Sequence, residues 1–259
     1  MISLTIADGI AEVILNAPQK LNSLDEQALQ DLAQAYDDAA EAASRGEVRA
    51  LLLRGEGRAF CAGRDIAGVT PANDDAQAYL GGLVQPLLKK MSSFPAPTFA
   101  AAQGACLGVG LGLLLATDVV YVAETAKFGS PFAKLGATLD SGGHWYFTER
   151  LGMHRTLDLI YTAELMSGAE AVAQGLFSRA MPAEELLENT RSIVAKVAAG
   201  ATGAFNASKE LVAHIRDQRL GLWEAMEEEN AEQARLCKSE DYAEGFLAFQ
   251  EKRTPVFKG

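Results

Sequence analysis

Hydrophobic and polar positions change their spacing several times along the chain. "LTIADGIAEVILN" alternates about a turn at Asp8-Gly9, the pattern of two short strands. "NSLDEQALQDLAQAYDDAAEAAS" switches to a four-residue spacing at Leu24, Ala28, Leu32 and Tyr36, which predicts a helix. Ser23 and Glu26 are spaced as its capping box. "VRALLLRGEG" is a continuous apolar run closed by glycines, a buried strand, and "RAFCAGRDI" after it is a loop. Polar residues 70–76 predict a mobile stretch, and 77–93 a helix interrupted at Pro86.

The alternation continues. "PTFAAAQG" and "DVVYVAET" predict buried strands on either side of "GVGLGLLLAT", an apolar helix entered through glycines. "KFGSPFAKLG" predicts an extended segment. Helices are expected over 143–151, 153–163, 169–174 and 183–199, with a second capping box at Ser167 and Glu170 and a stop at Gly175. Strands and helices thus alternate to about residue 182, an α/β pattern. Beyond residue 203 only helical signals remain, so a helical appendage is expected there.

Composition narrows the function. The 259 residues are 49% hydrophobic and 22% charged, a globular balance. Lys and Arg total 23 against 34 acids, so the net charge of 23 − 34 = −11 argues against general nucleic-acid binding. Cys61, Cys106 and Cys237 form no CxxC pair, and His144, His154 and His214 no HExxH, so no metal site is expected. No apolar run suggests a membrane span, and the N-terminus lacks a signal-peptide pattern. The expected compartment is the reducing cytoplasm.

Two glycine-rich turns, "FCAGRDI" (60–66) and "QGACLGVGLG" (103–112), suit backbone work. The second enters a helix, whose N-terminus favours negative charge. "GVGLG" fails the dinucleotide spacing, and close packing explains Gly110 or Gly112 taken singly. Asp140, in "GATLDSGGHWYF", is an acid on a glycine turn. Its residue type alone fits an N-cap for the helix beginning near Gly143.

In order, "RAFCAGRDI", "QGACLGVG", "ATDVVYVAETAKFG", "GATLDSGG" and the ending "FLAFQEKRTPVFKG" resemble the enoyl-CoA hydratase/isomerase (crotonase) family along nearly the whole chain. The resemblance implies an α/β, crotonase-like spiral of ββα units over 1–202 that binds acyl-CoA. It also implies a C-terminal helical trimerisation region over 203–259, hence a homotrimer or a dimer of trimers. The implied substrate is an acyl-CoA thioester whose oxygen sits between the backbone N–H groups of Arg64 and Val109. Ala62, Asp65, Ile66, Gly108, Gly112, Phe132 and His144 would line the pocket, with Lys252 and Lys258 toward the CoA phosphates. Coenzyme A belongs to the substrate, and no further cofactor is implied.

Hydratases of this family carry two glutamates, at positions matching Gly112 and Phe132. Both carboxylates are absent, which turns the expectation from hydration toward isomerisation. "LDSGG" together with Phe132 resembles the branch containing ring-1,2-epoxyphenylacetyl-CoA isomerase, where the acid matching Asp140 is the proposed acid/base. His144 would assist it or form a pocket wall. The rival expectations are an enoyl-CoA hydratase, a hydrolase or dehalogenase with Asp140 as nucleophile, and a CoA-binding subunit without turnover.

Overall fold

The computed structural model describes all 259 residues, Met1–Gly259. The chain opens with the hairpin β1 (Ile2–Ala7) and β2 (Ile10–Leu15), then α1 (Glu26–Ser44) and β3 (Ala50–Gly55). Next come α2 (Ala76–Tyr79), α3 (Gln85–Ser92), β4 (Thr98–Ala102), β5 (Ala105–Leu107) and α4 (Val109–Leu115). They are followed by β6 (Val119–Ala123), β7 (Lys127–Gly129), α5 (Gly143–Thr162), β8 (Met166–Ser167), α6 (Gly168–Ala173) and β9 (Arg179–Met181). Four helices end the chain: α7 (Ala183–Ala198), α8 (Thr202–Gln218), α9 (Leu222–Leu236) and α10 (Glu240–Glu251). None is long and apolar enough to cross a membrane.

Two sheets organise these elements. The larger has the order β1-β2-β3-β4-β6-β9, antiparallel only at the β1–β2 hairpin. The smaller contains β5, β7 and β8, and a bridge from Cys61 to Cys106 extends it by one residue. Each turn of the chain lays a strand in the large sheet and a short strand in the small one, then a helix. This winding is seen in β3–Cys61–α2/α3, β4–β5–α4 and β6–β7–α5, and it is the expected spiral of ββα units. Leu51, Leu52, Leu53 and Ala100 are fully buried, as strands covered on both faces require. The continuous core reaches from Ala11 to Ala198, and no residue of α8–α10 belongs to it.

Several local expectations change. Asp25, not Ser23, caps α1, accepting the Ala28 N–H at 2.8 Å. Leu24 is held in extended pairing with the 60–66 loop, its N–H on Gly63 O and its carbonyl accepting from the Asp65 N–H, so the helix begins only after it. Pro86 does not break its helix. A wide π-type turn over Leu80–Val84 absorbs the missing N–H and leaves Pro86 in the first turn of α3. Residues 127–136 are not extended throughout; Pro131 starts a 3-10 turn over Pro131–Leu135. Gly152 (φ 77°, ψ 164°) separates the two helical halves of α5, matching the two helices expected there. The capping box at Ser167 and Glu170 forms as expected.

Candidate active site

The two glycine turns lie side by side at the carboxyl ends of β3 and β4. Phe60 N–H donates to Gln103 O at 2.7 Å, Cys61 N–H to Ala105 O at 3.0 Å and Leu107 N–H to Cys61 O at 3.0 Å. The bridge from Cys61 to Cys106 is parallel with an offset of 106 − 61 = 45. Arg64 and Val109, the two expected donors, each lie three residues beyond this bridge on their own turn. Each follows a glycine with positive φ, Gly63 at 99° and Gly108 at 52°, a conformation that L side chains avoid. A β-carbon built on Gly63 would come within 3.8 Å of Gly108 Cα and 2.9 Å of Leu107 O. The approach therefore demands glycine as well as permitting it.

Neither the Arg64 nor the Val109 N–H donates to another group of the chain, whereas the flanking amides of Asp65 and Gly108 are engaged by Leu24 O and Gly129 O. Val109 is the first residue of α4, where the N–H has no intrahelical partner and the dipole favours negative charge. Both side chains turn away from this point. Val109 is in the core. The Arg64 guanidinium makes a two-pronged ion pair with Asp74 at 2.7 and 3.0 Å and lies 4.1 Å from the centre of the Tyr79 ring. A bulky residue after each glycine is thereby compatible with a donor made of main chain, and residues 70–76 are tied down through Asp74.

Asp140 does not cap α5. The N-cap is Gly142 with no side-chain cap, and only the Asp140 backbone carbonyl serves the helix, accepting the Gly143 N–H at 2.9 Å. The carboxylate is left with one hydrogen bond, from Ser141 Oγ at 2.7 Å. Burial pushes its pKa above the ordinary aspartate value, opposed first by the Ser141 hydroxyl and then by the charges of Arg64 and His144. No other carboxylate acts on it. Asp140 is thus a half-buried acid within the field of the Arg64 guanidinium.

A family model described as enoyl-CoA hydratase/isomerase matches residues 5–259. The chain belongs to the enoyl-CoA hydratase/isomerase family. It is 34% identical over 258 residues to a "Probable enoyl-CoA hydratase" of Rhodobacter capsulatus, covering 98% of this chain and 96% of that protein. It is 29% identical over 258 residues to the 1,2-epoxyphenylacetyl-CoA isomerase of Escherichia coli, covering 98% and 97%. The crystal structure of enoyl-CoA hydratase from Bacillus anthracis superposes with a TM-score of 0.90 at 29% identity, over 100% of this chain and 99% of that one. The fold is the crotonase fold of this family, whose members act on acyl-CoA thioesters.

Gly112 and Phe132, the two positions that the resemblance matches to glutamates, sit in this enoyl-CoA hydratase/isomerase family member as follows. A β-carbon on Gly112 would lie 2.5 Å from Ser141 Cβ, so the turn holding Asp140 occupies the space a side chain would need. Phe132 packs its ring tip 3.2 Å from where a β-carbon on Gly108 would stand, placing an apolar face on that glycine turn.

Other expected site residues fall differently. Gly112 borders the main cleft, but the other expected pocket residues (Ala62, Asp65, Ile66, Gly108, Phe132 and His144) do not, nor do Arg64, Val109 and Asp140. Asp65 is turned to Lys20 Nζ at 3.0 Å and accepts the Ala67 N–H, because the loop needs its own turn closed. Ile66 is 60% exposed, and His144 is exposed with its Nε2 3.4 Å from Thr138 Oγ1. Lys252 is the exposed C-cap of α10, and Lys258 pairs with Glu240 at 2.7 Å. Their segment packs beside Arg49, just before β3, at the end of the sheet opposite the two turns. Ser141, Tyr79 and Tyr146 were not expected as site residues. Ser141 alone carried a signal, a small hydroxyl directly after the acid.

Proposed function

We propose that this chain is an acyl-CoA isomerase in which Asp140 moves a proton between C2 and C4 of an enoyl thioester. The same chemistry extends to opening an epoxy-arene ring on CoA. The thioester oxygen accepts the N–H groups of Arg64 and Val109. The Asp140 carboxylate removes a C2 proton, and charge passes to that oxygen as the dienolate forms. The resulting carboxylic acid returns a proton at C4, so the C3–C4 double bond becomes C2–C3. One acid is enough, since it ends as it began. Burial raises its pKa and makes it a stronger base.

The observation that carries this reading is the solitary state of Asp140. Hydration in this family uses two carboxylates about one water, and here one position is closed by Ser141 against Gly112 and the other holds Phe132. The names of the relatives favour hydration, the Rhodobacter capsulatus protein among them, so the two reactions must be separated by assay. Given a 3-enoyl-CoA, the protein is expected to form the 2-enoyl-CoA. Given a 2-enoyl-CoA in water, it is expected to form 3-hydroxyacyl-CoA at least about a hundredfold more slowly, the scale of a missing acid/base group. Preferential hydration would defeat the reading.

We also propose that α8–α10 serve self-association into a trimer or dimer of trimers. They add nothing to the core, yet expose Val212, Leu222, Trp223, Met226, Phe246 and Phe249.

A further inference from the structure

A cleft of about 1020 Å³ starts at Gly112, Ser141 and Gly142 and runs between α3 and α8. Ser141 is the residue bonded to the Asp140 carboxylate, so one end of the cleft lies a single residue from that acid. Its volume admits an acyl group much larger than the few atoms the chemistry needs. Its walls are mixed, with seven hydrophobic residues among the 22 that line it, so they offer polar partners beside apolar surface. An alkyl chain there would strip water from polar groups and return no hydrogen bond.

Two of those groups are held in place by neighbours and keep a donor free. Tyr146 packs its ring against Gly142, 3.3 Å from where a β-carbon would stand, between Trp145 and the Arg150 guanidinium. Its hydroxyl bonds to no atom of the chain. Arg216, from α8, lies 5.2 Å from the Trp145 ring centre and gives Nε and Nη2 to Asp217 at 2.7 and 3.1 Å, leaving Nη1 free. Both line the cleft.

We propose that Tyr146 and Arg216 form a distal subsite for an acyl group bearing an oxygen acceptor, a hydroxyl or carboxylate, several carbons from the thioester. The subsite rests on the isomerase reading only for the direction in which the acyl chain runs from Asp140. A phenol and a free guanidinium N–H both donate, so the complementary ligand atom is an acceptor. Such a subsite selects against methyl-ended acyl chains, which would leave both donors buried and unpaired.

Calorimetric titration with three saturated six-carbon thioesters tests this without turnover: hexanoyl-CoA, 6-hydroxyhexanoyl-CoA and the mono-CoA thioester of hexanedioic acid. The two oxygenated thioesters are expected to bind about tenfold tighter than hexanoyl-CoA, the scale of one added hydrogen bond to a charged donor. Tyr146→Phe and Arg216→Met should each bring the ratio close to one. Equal or tighter binding of hexanoyl-CoA would overturn the subsite, as would variants that weaken all three thioesters alike. Failure of the unaltered protein to bind any of them would overturn the acyl-CoA reading itself.

Discussion

Ser141 occupies the place of a side chain at residue 112: a β-carbon on Gly112 would meet Ser141 Cβ at 2.5 Å and its carbonyl oxygen at 3.2 Å. The two positions are therefore exclusive. In this chain a side chain at residue 112 and the turn carrying Asp140 cannot both keep their places without backbone movement. Gly112→Ala is expected to destabilise the fold by about 1–3 kcal/mol, the usual cost of overpacking a tight contact. The same change should lower isomerase activity by displacing the Asp140 turn. Chemical denaturation together with a 3-enoyl-CoA assay checks it; an alanine variant as stable and as active as the parent would show that the turn is free to move.

The Ser141 hydroxyl opposes the burial that raises the Asp140 pKa. The groups that face this carboxyl are Ser141 on its own turn, Arg64 on the 60–66 loop, Tyr79 at the end of α2 and His144 on α5. A base must be ionised to act, so activity falls as the pH drops through its pKa. Removing the hydroxyl raises that pKa further. Ser141→Ala should therefore shift the acid limb of the kcat profile to higher pH, with KM little changed. A profile that keeps its limb while kcat falls uniformly would reduce Ser141 to a packing role.

A carboxyl with a raised pKa costs the folded state stability wherever it is ionised. Below the unfolded-state value both states are protonated and the cost vanishes. Above the folded-state value it is felt in full. Asp140→Asn is accordingly expected to melt at a higher temperature than the parent near pH 7, with the gain shrinking to nothing as the pH falls below the ordinary aspartate range. Stability gained where activity is lost is the signature of a functional acid. Thermal melts across pH read it directly, and a variant less stable at neutral pH would contradict the burial argument.

Val109 allows a single N–H to be deleted. It is the first residue of α4, a position where proline is accepted because that amide has no helical partner. Val109→Pro should fold, since the preceding Gly108 already has a positive φ free of β-carbon clashes. It should lower kcat/KM by about 10²–10³-fold, the cost of one oxyanion donor. Unchanged turnover in a folded Val109→Pro protein would remove Val109 from the oxyanion site.

The layout of this site was largely legible in the sequence because main chain does much of the work. Glycines at 63 and 108 mark turns that few other residues can make, and the two turns are brought side by side by the parallel bridge of Cys61 with Cys106. The long elements were legible too, since Ala28, Leu32 and Tyr36 are buried on one side of α1 as their spacing requires. β5, β8 and β9 were not. At two or three residues each they have no period to display, and only their partners hold them as strands. The direction of polar side chains was likewise hidden. Nothing local shows that Arg64 reaches Asp74, that Asp65 turns to Lys20, or that Lys258 lies at the far end of the sheet. The distal cleft was the least visible feature, for it is formed by α3, α5 and α8, far apart along the chain.

The most direct measurement follows proton movement itself. A 3-enoyl-CoA is incubated in deuterated water with the parent protein and with Asp140→Asn, and deuterium at C2 and C4 is read by NMR beside the isomerisation rate. With Asp140 as the single acid/base, the parent should isomerise the thioester and exchange both positions. The asparagine variant should still bind the thioester but do both about 10²–10⁴-fold more slowly. An asparagine variant that isomerises at the parent's rate would contradict the account.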